Sequence, residues 1–134
     1  MRLKQAMLLA VLAFLPGAAL AHHSGAMFDR TKTVTITGEI KKFDYVNPHA
    51  WLDISGPDAS GKPAEWSVEM SSPIGLKKVG LTPSNLKVGD KVTVHAHPLR
   101  DGRPGASFID VQLPDGRVIS SVTTPPQAAP VAPN

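Results

Sequence analysis

Thr33-Val34-Thr35-Ile36-Thr37-Gly38-Glu39-Ile40-Lys41-Lys42-Phe43-Asp44-Tyr45 is the stretch on which the fold turns. Val34, Ile36, Gly38 and Ile40 share one face of an extended chain, and Thr35, Thr37, Glu39 and Lys41 share the other. Thirteen residues make a long strand, and a glycine in its middle predicts a sharp bend or bulge rather than a flat ladder. A long first strand bent at a glycine belongs to the element pattern of a small five-stranded barrel.

The residues downstream continue that reading. Asn47-Pro48 is a turn, and His49 to Ser55 a second strand with Ala50, Leu52 and Ile54 on one face. Gly56 to Gly61 is rich in turn formers, and Glu65 to Met70 forms a third strand with Trp66, Val68 and Met70 inward. The period then changes. Ser72-Pro73 starts a short helix from Pro73 to Val79, closed by Gly80. Leu86-Lys87-Val88-Gly89-Asp90 turns into a fourth strand, Lys91 to His97, with Val92, Val94 and Ala96 on one face. Ser107 to Leu113 is the fifth strand, and Asp115-Gly116 makes a last tight turn before Val118 and Ile119. The order is three strands, a helix and two strands. This predicts an all-β fold, a five-stranded OB-like Greek-key barrel with one short helix between strands three and four. An antiparallel β-sandwich is the competing architecture.

The ends of the chain read differently. Arg2 and Lys4 precede an apolar run from Ala6 to Leu15, then Pro16-Gly17 and the small-residue site Ala19-Leu20-Ala21. Residues 1–21 are therefore expected to be a secretory signal peptide, with an apolar run too short to span a bilayer. Residues 22–32 form an N-terminal leader, 33–120 the barrel, and 121–134 an uncharged tail rich in proline and alanine that cannot bury apolar area. The expected location is periplasmic or secreted, with no stable membrane insertion after cleavage. There is no cysteine, so no disulfide forms. Of 14 basic residues Arg2 and Lys4 leave with the signal, so 12 face 11 acidic ones, a net charge of +1. That balance gives no reason to expect a nucleic-acid partner, which calls for a basic face.

The sequence resembles a family of short exported bacterial proteins of unknown function. The resemblance lies in Ala21-His22-His23-Ser24 with Met27-Phe28-Asp29, in Asn47-Pro48-His49-Ala50-Trp51, in Glu65 to Glu69, in Ser72-Pro73 with Leu76 and Gly80, and in Leu86 to Val94 with His97-Pro98. It implies export and the barrel fold, and brings no activity. His95 departs from the pattern, which does not place a histidine there.

The five histidines are the candidate chemistry. Cleavage after Ala21 makes His22 the first residue, so that one metal is offered an α-amine and a ring nitrogen as a chelate, and His23 adds a second ring. Nitrogen donors of this kind suit Cu(II) first, then Ni(II) and Zn(II). His95 and His97, two apart on strand four, project to one side, opposite Val92 and Val94. His49 heads strand two, on the side of Trp51 and Asp53. The expected metal set is His22, His23, His49, His97 and His95. It makes the protein an exported copper or other transition-metal carrier or accessory factor. Each position has a plainer reading: residues that merely follow a cleavage site, an exposed strand face, and a histidine that closes the Asn47-Pro48 turn by a hydrogen bond. Met70 reads as core and Met27 as packing beside Phe28.

Sequence signatures of enzymes are missing: no cysteine nucleophile, Gly-x-Ser-x-Gly, phosphate loop or His-Glu-x-x-His occurs, and no catalysis is expected. Glu65 and Glu69 share a face, with nothing to link them to a cleft. Tyr45 and Trp51 offer stacking surfaces for a sugar or aromatic ligand. The alternative function is therefore a small-molecule or envelope-protein binding module with no metal role.

Overall fold

The computed structural model describes residues 25–122. The expected signal peptide, His22, His23 and most of the tail lie outside the described residues. A 3-10 turn, Gly25–Met27, leads into β1 (Val34–Asp44), β2 (Trp51–Pro57), β3 (Pro63–Glu69), α1 (Pro73–Lys78), β4 (Lys91–Pro98), β5 (Gly105–Gln112) and β6 (Val118–Ser120). The sheet order is β3-β2-β1-β4-β5-β6, and a parallel pairing of β3 with β5 closes it. The five longer strands thus form the closed barrel expected from the element order, and the sandwich is ruled out. β6, expected only as residues after a turn, is a short sixth strand paired with β5 beyond the barrel.

β1 makes closure possible by changing partners. Val34 to Glu39 pair with β4, and Glu39 to Asp44 pair with β2, so the two ladders meet at Glu39. At this crossing Gly38 lies against the backbone of β2, and a Cβ there would run into the Ser55 carbonyl oxygen. Gly56 answers from the other side, where a Cβ would stand 2.6 Å from the Thr37 carbonyl oxygen. The close approach, not a special torsion angle, demands glycine at both sites.

Two one-residue bulges adjust the strands. Along β1 the register with β2 slips between Ile40 and Lys42, leaving Lys41 extra. Along β5 it slips opposite His95 and Ala96, leaving Ile109 extra. Each bulge changes which positions face inward: Ala106 and Phe108 before the β5 bulge, Val111 and Leu113 after it, are all buried.

The core gathers Ile36, Ile40, Leu52, Ile54, Val68, Val94 and Val111 from the barrel with Leu76 of α1 and Leu81 and Leu86 beyond it, all at most 1% exposed. Burying each such aliphatic side chain contributes about 1.5–3 kcal/mol. Ser72 caps α1 by accepting from Gly75 N–H, and Pro73 sits at the first turn as expected. The Tyr45 hydroxyl donates to the Pro73 carbonyl at 2.6 Å, tying the end of β1 to the helix. The Asn47–Pro48 peptide is cis.

Acidic side chains fasten the loops. Asp58 Oδ1 accepts from Ser60 N–H, Ser60 Oγ and Lys62 N–H between β2 and β3. Asp101-Gly102-Arg103 and Asp115-Gly116-Arg117 are the same tripeptide with the same two bonds, aspartate accepting from arginine N–H and Nε. These bonds favour the ionised carboxyl. Asp58 is held below its ordinary value chiefly by the Ser60 hydroxyl, and Asp101 and Asp115 chiefly by the backbone N–H of Arg103 and Arg117.

Two outcomes follow. Gly38→Val forces β1 off β2 and is expected to cost about 3 kcal/mol, a loss of roughly 15 °C in Tm by thermal circular dichroism. An unchanged Tm would mean that the crossing is not tight. A carboxyl whose folded pKa is depressed adds stability that is present above its unfolded value near 3.8 and is lost as pH falls through the folded value. Tm should therefore drop as pH is lowered below about 4, and Asp58→Asn should make that drop shallower.

Candidate functional site

The three histidines among the described residues share one feature: each ring is anchored through Nδ1. His49 Nδ1 lies 3.0 Å from the Met70 carbonyl oxygen, His97 Nδ1 2.8 Å from the Lys32 carbonyl oxygen, and His95 Nδ1 2.6 Å from Asp110 Oδ1. A carbonyl oxygen only accepts, and so does an ionised carboxylate. The proton therefore sits on Nδ1, and in the neutral ring Nε2 keeps its lone pair. This is the arrangement that outer-shell oxygens impose on metal-binding imidazoles.

His95 and His97 lie on the outer side of β4, since Val92, Val94 and Ala96 are buried. They are the two-apart pair expected from the sequence. The β5 bulge supplies the partner of His95. His97 is opposite Ser107 and Ala96 opposite Phe108, so an unbroken ladder would set Ile109 against His95; the extra residue sets Asp110 there instead. The His95 side chain remains 39% exposed and Asp110 23%.

His49 stands elsewhere. It precedes β2 instead of heading it, and its bond to Met70 closes the turn. It does not join the strand-four pair: among the described residues no three of His, Cys, Asp and Glu are placed to hold one metal ion. The plainer reading of His49 as a turn-closing residue fits this position. Its nearest charged neighbour is Glu69, with 3.7 Å between His49 Nδ1 and Glu69 Oε1.

Glu69 belongs to a second feature, missed in the sequence. It is the buried charged residue at the end of β3, 9% exposed, and its Oε2 has no hydrogen-bond partner. A cleft of about 350 Å³ opens beside it, walled by Met27, Phe28, Trp51, Leu99 and Arg103 among others. The leader builds one wall: Phe28 bridges to Leu99, Asp29 N–H donates to the Pro98 carbonyl, and Arg100 N–H donates to the Met27 carbonyl. The two stacking candidates separate here. Trp51 lines the cleft, whereas Tyr45 lies away from it, bonded to Pro73 and edge-on to Phe43 at 5.5 Å. Met70 is core, as expected, whereas Met27 is 37% exposed and lines the cleft together with Phe28.

Several outer lysines are paired on β1 and β4. Lys41 and Lys91 both reach Glu39, and Lys42 reaches Asp44. Among the described residues no helix is long and apolar enough to cross a membrane.

Strand order, closure by β3 on β5 and the single α-helix among the described residues define the class: an OB-type β-barrel. The chain belongs to the family of unknown function DUF6152, whose model matches residues 10–107. Among solved structures it is similar to the mitochondrial single-stranded DNA binding protein Rim1 of S. cerevisiae, at 15% identity and a TM-score of 0.47, over 62% of this chain and 93% of that one. No curated protein matches the sequence.

The tautomers are directly testable. In nitrogen-15 NMR spectra at alkaline pH, His49, His95 and His97 should all show protonated Nδ1 and bare Nε2. Asp110→Ala should return His95 toward the mixed tautomers of a free imidazole and leave His97 unchanged. A bare Nδ1 on His95 in the unaltered protein would contradict the assignment.

Proposed function

We propose that this protein is an exported, periplasmic metal-binding protein that carries Cu(II), with His95 and His97 as its holding pair. One observation carries the reading: two neighbouring imidazoles on one strand face are fixed through Nδ1, by Asp110 and by the Lys32 carbonyl. Their Nε2 lone pairs need lose no proton to bind. Borderline and softer divalent ions prefer such nitrogen donors, and copper stands highest among them.

Two protein ligands leave the remaining positions of a copper ion to water or to donors from elsewhere. That suits a carrier, which must release its cargo, better than a permanent structural site. His22, with its amine freed by cleavage, and His23 are the proposed further donors in this chain. Because His95 departs from the family resemblance, the pair is proposed as a property of this chain and not of the family.

The test is a competition titration with Cu(II) against a chelator of known affinity, on the processed protein. His95→Ala and His97→Ala should each weaken binding about tenfold, equivalent to about 1.4 kcal/mol. Asp110→Ala should weaken it by about tenfold through loss of the ring anchor, and His49→Ala should leave it near the starting value. Affinity should fall as pH is lowered, because protons compete for the same lone pairs. Repeating the series with a glycine placed before His22 separates the terminal chelate from the pair. Equal copper affinity across the His95 and His97 variants in both backgrounds would remove the reading. Intact mass of the exported protein should correspond to a chain beginning at His22.

A further inference from the structure

We infer that the cleft around Glu69 is a second binding site, for a primary ammonium group carried on an apolar, preferably aromatic, body. The inference stands apart from the copper reading, because none of its residues is a proposed metal ligand.

The carboxylate defines the headgroup. Glu69 is 9% exposed, and its Oε2 is buried without a partner. A buried acceptor left unmade is costly, and a carboxylate oxygen more so than a neutral one. The neighbouring groups do not relieve it. His49 Nδ1 is 3.7 Å from the other oxygen, Oε1, and its N–H is engaged with the Met70 carbonyl. Arg103 is turned to Asp101, bonded through Nε at 2.8 Å. Oε2 has less than 1 Å² of accessible surface, so a ligand in the cleft meets Glu69 through the rest of its lining surface; the counterpart its charge calls for is a small donor with positive charge.

The walls define the rest of the ligand. Met27, Phe28, Trp51 and Leu99 give the cleft an apolar lining with an indole beside the carboxylate. Its volume of about 350 Å³ is far more than an ammonium group fills. It falls at the small end of the range for organic ligand sites. A metal ion fits poorly here, since among the described residues no three ligating side chains are grouped and the cleft wall carries a cationic Arg103. An anion is disfavoured by Glu69 itself. What remains is an amine with an apolar tail, its charge on Glu69 and its body against Trp51 and Phe28, where an aromatic wall also favours a cation.

Phenethylamine is the probe, with 2-phenylethanol and phenylacetate as bodies of the same shape and different charge. Each is titrated into the isotope-labelled processed protein and followed by amide and indole NMR shifts. The amine should give saturable shifts at Met27, Trp51 and Ala106, and both comparators should bind at least about tenfold more weakly. Glu69→Gln removes the charge while keeping the shape, and should weaken the amine about tenfold or more. If that variant folds poorly by circular dichroism, the comparison of the three probes on the unaltered protein decides alone. The inference is overturned if the alcohol binds as well as the amine, if a folded Glu69→Gln binds the amine unchanged, or if millimolar amine gives no saturable shift.

Discussion

The barrel depends on one close approach of backbone to backbone, where Gly38 of β1 lies on Ser55 of β2 and Gly56 lies on Thr37. β1 serves β4 with its first half and β2 with its second, and the switch happens within a residue of Gly38. Side chains at these two positions would hold the strands apart and leave an open sheet with two long unpaired edges. With the strands in contact the sheet coils far enough for β3 to meet β5, and everything else is placed by that closure. It brings Glu69, Ser107 and His97 into register on three adjacent strands, so that the cleft and the histidine pair occupy one side of the barrel.

The two sites divide the chemistry between them. At the pair, every anchor is an oxygen that accepts from Nδ1–H, which leaves the Nε2 lone pair of the neutral ring unused by that bond. In the cleft, Glu69 lies on the outer face of its strand, is buried there, and its Oε2 lacks a partner. As proposed, one site offers lone pairs to an acidic ion, and the other offers negative charge to a cation that brings its own apolar surface. The leader contributes to both without being part of the barrel. Lys32 gives its carbonyl to His97, and Met27 and Phe28 cover the cleft beside Glu69.

Much of this was legible in the sequence, and for definite reasons. The alternation from Val34 to Ile40 and the Ser72-Pro73 helix start are local signals, and they placed the strand and the helix; the mid-strand glycine marked a close approach to β2, and the bulge came three residues later, at Lys41. The two-residue spacing of His95 and His97 put both on one face, because strand geometry leaves no other choice. Their anchors were illegible: Asp110 reaches His95 only because a bulge skips Ile109, and the Lys32 carbonyl is a backbone group with no sequence signature. His49 looked like a strand residue because Ala50, Leu52 and Ile54 alternate below it, yet pairing starts at Trp51. Glu69 was placed on an outward face, correctly, but alternation does not reveal that the leader folds over that face and buries it. Trp51 and Tyr45 were grouped by chemistry, and distance along two strands separated them.

The β5 bulge bears on how chains of this kind tolerate changes in length. In a regular strand, losing one residue turns every later side chain over, and core and surface change places. At Ile109 the arithmetic runs the other way. Phe108 already faces in, Asp110 out and Val111 in, so a chain lacking residue 109 keeps Asp110 beside His95 and Val111 in the core. What it forfeits is the bond from Ser121 N–H to the Ile109 carbonyl, at the edge beyond β6. Lys41 occupies the same position in β1, between an inward Ile40 and a Lys42 that opposes Asp53. Relatives one residue shorter at either point are thus compatible with an unaltered core, and a gap inside a strand there marks a removed bulge, not a broken sheet.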